Sequence, residues 1–192
     1  MQHMTSSESN SHKVVMLGAS GVGKTSVVLQ LQEKVFKKMV QPTVGSGVIS
    51  KDILTSKGQV TLRIWDTAGE ERYRSFTGLY SQNSVACCIV FDVTDLETFD
   101  TIDEWVGLFR QNSQPNAIIY LAGNKCDLTD ERQVSYDKAQ KYAMDHDMKY
   151  YEVSAKTGQN VELLFRDLAN QLGPANQTQQ APATAKNDGA CC

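Results

Sequence analysis

The amino-acid sequence predicts an α/β domain built on a largely parallel sheet. Three observations carry that prediction: short apolar runs alternate with helix-period segments, two of the runs are unbroken, and one pair is joined by a very short turn. Alternation of this kind is the signature of βαβ units. Unbroken apolar runs mark strands covered on both faces, and the short turn demands antiparallel pairing, which makes the sheet mixed.

Taken in order, residues 13–17 read as the first strand and residues 24–35 as the first helix, with Val27, Val28 and Leu31 on one side. Residues 49–54 and 60–66 are strand-like on either side of Lys57-Gly58, so they form an edge hairpin. Residues 85–91 and 117–123 are the unbroken runs and read as deep core. Between them Phe99, Ile102, Trp105, Val106 and Phe109 recur at helical spacing, a stripe that reads as packing rather than as a cofactor box. Val161, Leu164, Phe165, Leu168 and Leu172 give a last amphipathic helix that ends at Gly173-Pro174. Residues 175–190 are mostly Ala, Gln, Thr and Asn, too poor in large apolar groups to offset ordering entropy, and read as a flexible tether. The expected organisation is a disordered extension over 1–12, one domain over 13–172 and a flexible tail over 173–192.

Composition agrees with one domain: 192 residues, 41% hydrophobic and 21% charged. A net charge of -3 with no run of Lys or Arg argues against a nucleic-acid surface or a charged membrane patch. No stretch approaches the roughly 18 apolar residues of a membrane span, and residues 1–12 lack the basic-then-apolar order of a secretory signal. A cytoplasmic protein is expected. Five cysteines without regular spacing, no CxxC pair and three scattered histidines argue against a disulfide framework or a structural zinc site. Cys87 and Cys88, inside an apolar run, behave as small hydrophobes.

The run from Gly18 to Thr25, Gly-Ala-Ser-Gly-Val-Gly-Lys-Thr, matches the phosphate-binding loop pattern and lies between a strand and a helix, where the mechanism requires it. Gly21 and Gly23 let backbone N–H groups turn inward around phosphate oxygens, and the helix N-terminus adds its positive end. Lys24 can bridge the outer phosphates and Thr25 can ligate Mg²⁺. This loop reads phosphates and not the base, so it leaves ATPases, GTPases and small-molecule kinases open. Asn124-Lys-Cys-Asp127 follows an apolar strand, which places Asp127 at the sheet's C-terminal edge, where α/β folds bind ligands. A carboxylate there accepts two hydrogen bonds from guanine's ring N–H and exocyclic amine, a pair that adenine does not offer.

The P-loop, Asp66-Thr-Ala-Gly69, Asn124-Lys-Cys-Asp127 and Ser154-Ala-Lys156, in this order and spacing, resemble the Ras-superfamily GTPases over about residues 13–172. The resemblance implies a P-loop small G-domain, with a six-stranded, mostly parallel sheet, one antiparallel edge strand and about five helices. It implies a phosphate cradle from Ser20, Gly21, Val22, Gly23, Lys24, Thr25 and Ser26. Asn124 and Asp127 would read guanine, Lys125 and Phe36 would sandwich it, and the Ser154-Ala155-Lys156 loop would offer the Ala155 N–H to the guanine carbonyl. Mg²⁺ would be held by Thr25 and Thr43 and, through water, by Asp66, with Thr43 joining only when the γ-phosphate is present. Lys24, Gly69 and Glu70 would be the catalytic positions, Gly69 giving its N–H to the γ-phosphate of GTP.

Within that superfamily, residues 71–77 (Glu-Arg-Tyr-Arg-Ser-Phe-Thr) and the terminal Cys191-Cys192 are similar to Rab proteins. That likeness implies a GTP/GDP switch in vesicle traffic, monomeric, working through effectors at the two switches, an exchange factor, a GTPase-activating protein and a prenyl-binding chaperone. Cys191 and Cys192 would carry two lipids, because one chain binds a membrane only marginally without a basic patch. The protein would then sit reversibly on the cytosolic face of an endomembrane. Two departures stand out. Glu70 occupies the place of the usual Gln, and an ionised carboxylate beside an anionic phosphate predicts slow hydrolysis. The alternative is a GTP-stabilised adaptor that does not hydrolyse. Gly47 and Val48 stand where Rab proteins carry an acidic residue and Phe, so the effector surface is expected to be unusual.

Overall fold

The computed structural model describes residues 11–38, 41, 43, 45–68 and 74–174. Six strands form one sheet in the order β2-β3-β1-β4-β5-β6. They are β1 (Ser11–Leu17), β2 (Ser46–Thr55), β3 (Gly58–Thr67), β4 (Ala86–Asp92), β5 (Ile118–Asn124) and β6 (Lys149–Glu152). Every neighbouring pair is parallel except β2 and β3, which run antiparallel from Ser46↔Thr67 to Thr55↔Gly58. The predicted mixed sheet with one antiparallel edge strand is therefore present. Ser56 and Lys57 make the two-residue turn, and Gly58 takes φ 120°, a value that favours glycine.

The helices are α1 (Lys24–Glu33), α2 (Arg74–Ser81), α3 (Leu96–Asp100), α4 (Ile102–Arg110), α5 (Tyr136–Asp145) and α6 (Val161–Leu172). Lys34 in the left-handed region at φ 57° stops α1 two residues before the sequence expectation. The single stripe read between the central strands is two helices interrupted at Thr101 (φ -87°, ψ 0°). Apolar periodicity runs through the interruption because all five stripe residues still face the sheet, buried. Asp95 caps α3 by accepting the Glu97 N–H, and this short helix is oriented by that cap.

Side chains alternate between two cores along each central strand. Val14, Met16, Cys88, Val90 and Ala122 face α1 and α6, whereas Val15, Leu17, Cys87, Ile89, Phe91 and Leu121 face α3, α4 and α5. Each fully buried large side chain among them contributes about 1.5–3 kcal/mol. Gly173 closes α6 at φ 68°, donating its N–H to Ala169 O at 2.9 Å, and its carbonyl meets His12 Nε2 at 2.7 Å. The end of α6 is thus fixed beside the start of β1 and the β2–β3 turn. None of the described helices is long and apolar enough to cross a membrane.

Candidate functional site

The C-terminal ends of β3, β1, β4 and β5 lie side by side along one edge of the sheet, and the strand order turns back on itself at β1, the usual ligand position of an open parallel sheet. The loop after β1 passes over β4 so closely that a Cβ on Gly18 would lie 2.1 Å from Val90 O. Gly23, at φ 94°, opens α1 with no side-chain cap, so the first N–H groups of that helix stay available to a ligand. Lys24 is 5% exposed and donates to Gly18 O and Ala19 O, both at 2.8 Å. Burial lowers its pKa to about 8, and the Asp66 carboxylate opposes that shift.

Thr25 Oγ1 donates to Asp66 Oδ2 at 2.7 Å and lies 2.6 Å from Thr43 Oγ1. Burial raises the Asp66 pKa, against the pull of the Thr25 hydroxyl and Lys24. Its second oxygen, Oδ1, is buried with no hydrogen-bond partner. A buried acceptor without a donor is costly, and a divalent cation or its coordinated water would satisfy it. The donor set, one carboxylate and two hydroxyls, suits Mg²⁺ bound together with ligand phosphates. Among the described residues no group of three His, Cys, Asp or Glu could hold a metal by protein alone. Ala68 N–H donates to Gly45 O at 2.9 Å, joining the segments that flank the hairpin.

At the other end, Asn124 uses its whole side chain to join loops. Its Nδ2 donates to Val22 O at 2.8 Å and its Oδ1 accepts the Ala155 N–H at 3.1 Å. The N–H that the resemblance assigns to a guanine carbonyl is therefore already engaged by Asn124. Ser154 Oγ donates to Asp127 Oδ1 at 2.6 Å and Lys156 Nζ lies 3.4 Å from Oδ2. Burial opposes ionisation of Asp127, but these bonds and a backbone one hold its pKa below the usual carboxylate value. Asp127 is an ionised acceptor at neutral pH.

One cleft of about 620 Å³ joins the two ends. Ser20, Gly21, Gly23, Lys24, Thr25, Ser26 and Thr43 line the end at the start of α1. Phe36, Asn124, Lys125, Asp127, Ala155 and Lys156 line the other. Three expected residues lie behind the wall. The Val22 side chain is in the core and only its carbonyl serves, Ser154 supports Asp127, and Asp66 stands behind Thr25. Gly69, Glu70, Cys191 and Cys192 lie outside the described residues. Gln41, Lys37, Lys38, Thr67 and Leu128 also line the cleft and were missed, because nothing in their spacing sets them apart from loop residues. Asp92, 2.5 Å from Lys125 Nζ, was missed as well. A signal existed: like Asn124, it is a polar residue ending an apolar strand.

The fold and cleft together define a P-loop nucleotide-binding domain. A family model described as Ras family matches residues 13–173, and the chain belongs to that family, the small GTPases of the Ras superfamily. Its members bind GTP or GDP with Mg²⁺ and act as switches read by regulators and effectors.

Proposed function

We propose that this chain is a Rab-type switch for membrane traffic, binding guanine nucleotide and Mg²⁺ in the cleft described above. The observation that carries the reading is the Asn124 bridge, which joins the phosphate loop and the base loop into one cavity. In this reading Lys24 and the N-terminus of α1 hold the phosphates, Thr25, Thr43 and Asp66 hold Mg²⁺, and Asp127 selects guanine. Phe36 and Lys125 flank the base. Lys24, the Gly69 N–H and Glu70 act on the γ-phosphate, and Cys191 and Cys192 take prenyl groups that hold residues 13–172 near an endomembrane through the tail. The likeness of residues 71–77 to Rab proteins supports the traffic role.

Selectivity tests the base reading: purified chain is expected to bind GDP in preference to ADP, and D127N to lose that preference. Equal binding of both nucleotides by the native chain would overturn it. Hydrolysis tests the Glu70 reading. Single-turnover phosphate release is expected to be slow and to quicken in E70Q, since Gln can donate to a phosphate oxygen where Glu cannot. Equal rates would remove Glu70 from the account. Release that no Rab-activating domain accelerates, but that E70Q restores, would favour the adaptor over the timed switch. Prenylation in a reconstituted system followed by loss of vesicle binding in C191S/C192S tests the anchor.

A further inference from the structure

Lys125 is held at both ends. Its backbone sits in the left-handed region at φ 66°, which fixes the direction in which the side chain leaves the chain. Its ammonium meets Asp92 Oδ2 at 2.5 Å, and that carboxylate is 8% exposed. The other Asp92 oxygen accepts the Thr94 N–H at 2.9 Å and the Thr94 hydroxyl at 2.7 Å, so the carboxylate cannot turn away from the lysine without breaking its own turn. Lys125 lines the cleft and Asp92 does not.

We infer that Asp92 is a positioning residue for guanine binding: it clamps the Lys125 ammonium so that the lysine's four-carbon stem lies as a fixed apolar wall against one face of the base. The inference rests on the proposal that Lys125 flanks guanine. A lysine stem is flexible, and ordering it when the ligand arrives would cost rotamer entropy; Asp92 orders it beforehand. The clamp has an electrostatic role as well. The ligand carries phosphates within the same cleft, and a free ammonium would be drawn toward them and away from the base. A buried, hydrogen-bonded carboxylate keeps it at the base end.

Dissociation of methylanthraniloyl-GDP from the full chain, in saturating Mg²⁺, tests the clamp across D92N, D92E, K125M and D92N/K125M. The Asn side chain in D92N keeps an oxygen for Thr94 but turns a donor toward the ammonium. D92N is expected to release the nucleotide about tenfold faster than wild type, and D92E, which retains a carboxylate, to stay within about threefold. K125M should also be fast, and D92N should add nothing in the K125M background. Melting of the GDP-saturated proteins checks that each variant is folded, and a D92N that does not fold leaves D92E and K125M to decide. Additive effects in the double variant, D92E as fast as K125M, or D92N at the wild-type rate with K125M fast would each overturn the clamp alone. K125M at the wild-type rate would overturn the base-flanking role of Lys125 and the clamp with it.

Discussion

A methyl group in place of the Gly23 hydrogen would sit 2.4 Å from Asn124 Nδ2, at a backbone φ of 94° that side chains rarely adopt. The backbone alone costs about 1–2 kcal/mol, and relieving the clash means moving the carboxamide away from Val22 O. G23A is therefore expected to weaken GDP binding by at least about tenfold while the sheet stays folded, measured by titration with a fluorescent nucleotide and by circular dichroism. Binding within about twofold of wild type would show that Asn124 has no need of that contact. The hydroxyl of Thr25 makes a second expectation, because it donates to Oδ2 of the same Asp66 carboxylate whose Oδ1 is left unsatisfied. Chelating Mg²⁺ should speed GDP release from the native protein by about tenfold or more, and should change the T25A rate by less than about twofold. Equal chelator sensitivity would place the metal elsewhere.

Packing of whole elements makes its own demands, clearest where β4, β5 and β6 meet. A Cβ on Gly123 would lie 2.6 Å from Tyr150 Oη and 2.9 Å from Phe91 Cζ and Val93 Cγ1, all in the core beneath α3 and α5. G123A is expected to destabilise by about 1–3 kcal/mol, seen as a fall in Tm on the order of 5 °C for the GDP-bound protein. An unchanged Tm would mean that this core yields more easily than its density implies. The same region shows why the sequence was only partly legible. β6 (Lys-Tyr-Tyr-Glu) has no alternating aliphatic pattern, since phenol rings cover it and its charges pair with neighbours. α5 escaped for a related reason: its buried contacts are Ala139 and Ala143, too small to make a stripe. α6, with five large apolar residues at regular spacing, was readable to its last residue. The P-loop and the Asn124–Asp127 segment were readable because their chemistry constrains residue type at each step. Ser154 was readable only as a member of its motif, and its bond to Asp127 was not, while Asp92 ends an apolar strand without belonging to any motif.

The molecule as a whole is fastened by charge at the edge farthest from β2. Asp167 on α6 accepts Tyr120 Oη at 2.8 Å from β5 and Lys149 Nζ at 2.7 Å from β6. Burial works against its ionisation, but bonds from Lys149, Tyr120 and Tyr151 carry its pKa below the ordinary 3.8. The unfolded chain therefore binds the proton first as pH falls. The contribution of Asp167 is complete above the ordinary value and is lost as pH drops through the lowered one. D167N is expected to cost about 1 kcal/mol at pH 7 and to flatten the decline of stability between about pH 5 and 3, in urea unfolding of the GDP-bound protein. A decline as steep as that of the native chain would assign acid sensitivity to other carboxylates.

Asn124 has one further consequence, which concerns force. Both functions of its carboxamide are spent on neighbouring loops, Val22 O on one side and Ala155 N–H on the other. The phosphate and base halves of the cleft hence behave as two leaves on a common hinge pin. Drawing the Val22 carbonyl away would break one of the two bonds that fix the carboxamide and leave only the one from the Ala155 N–H. Strain applied to the loop after β1 is thereby passed through one side chain to the loop after β6.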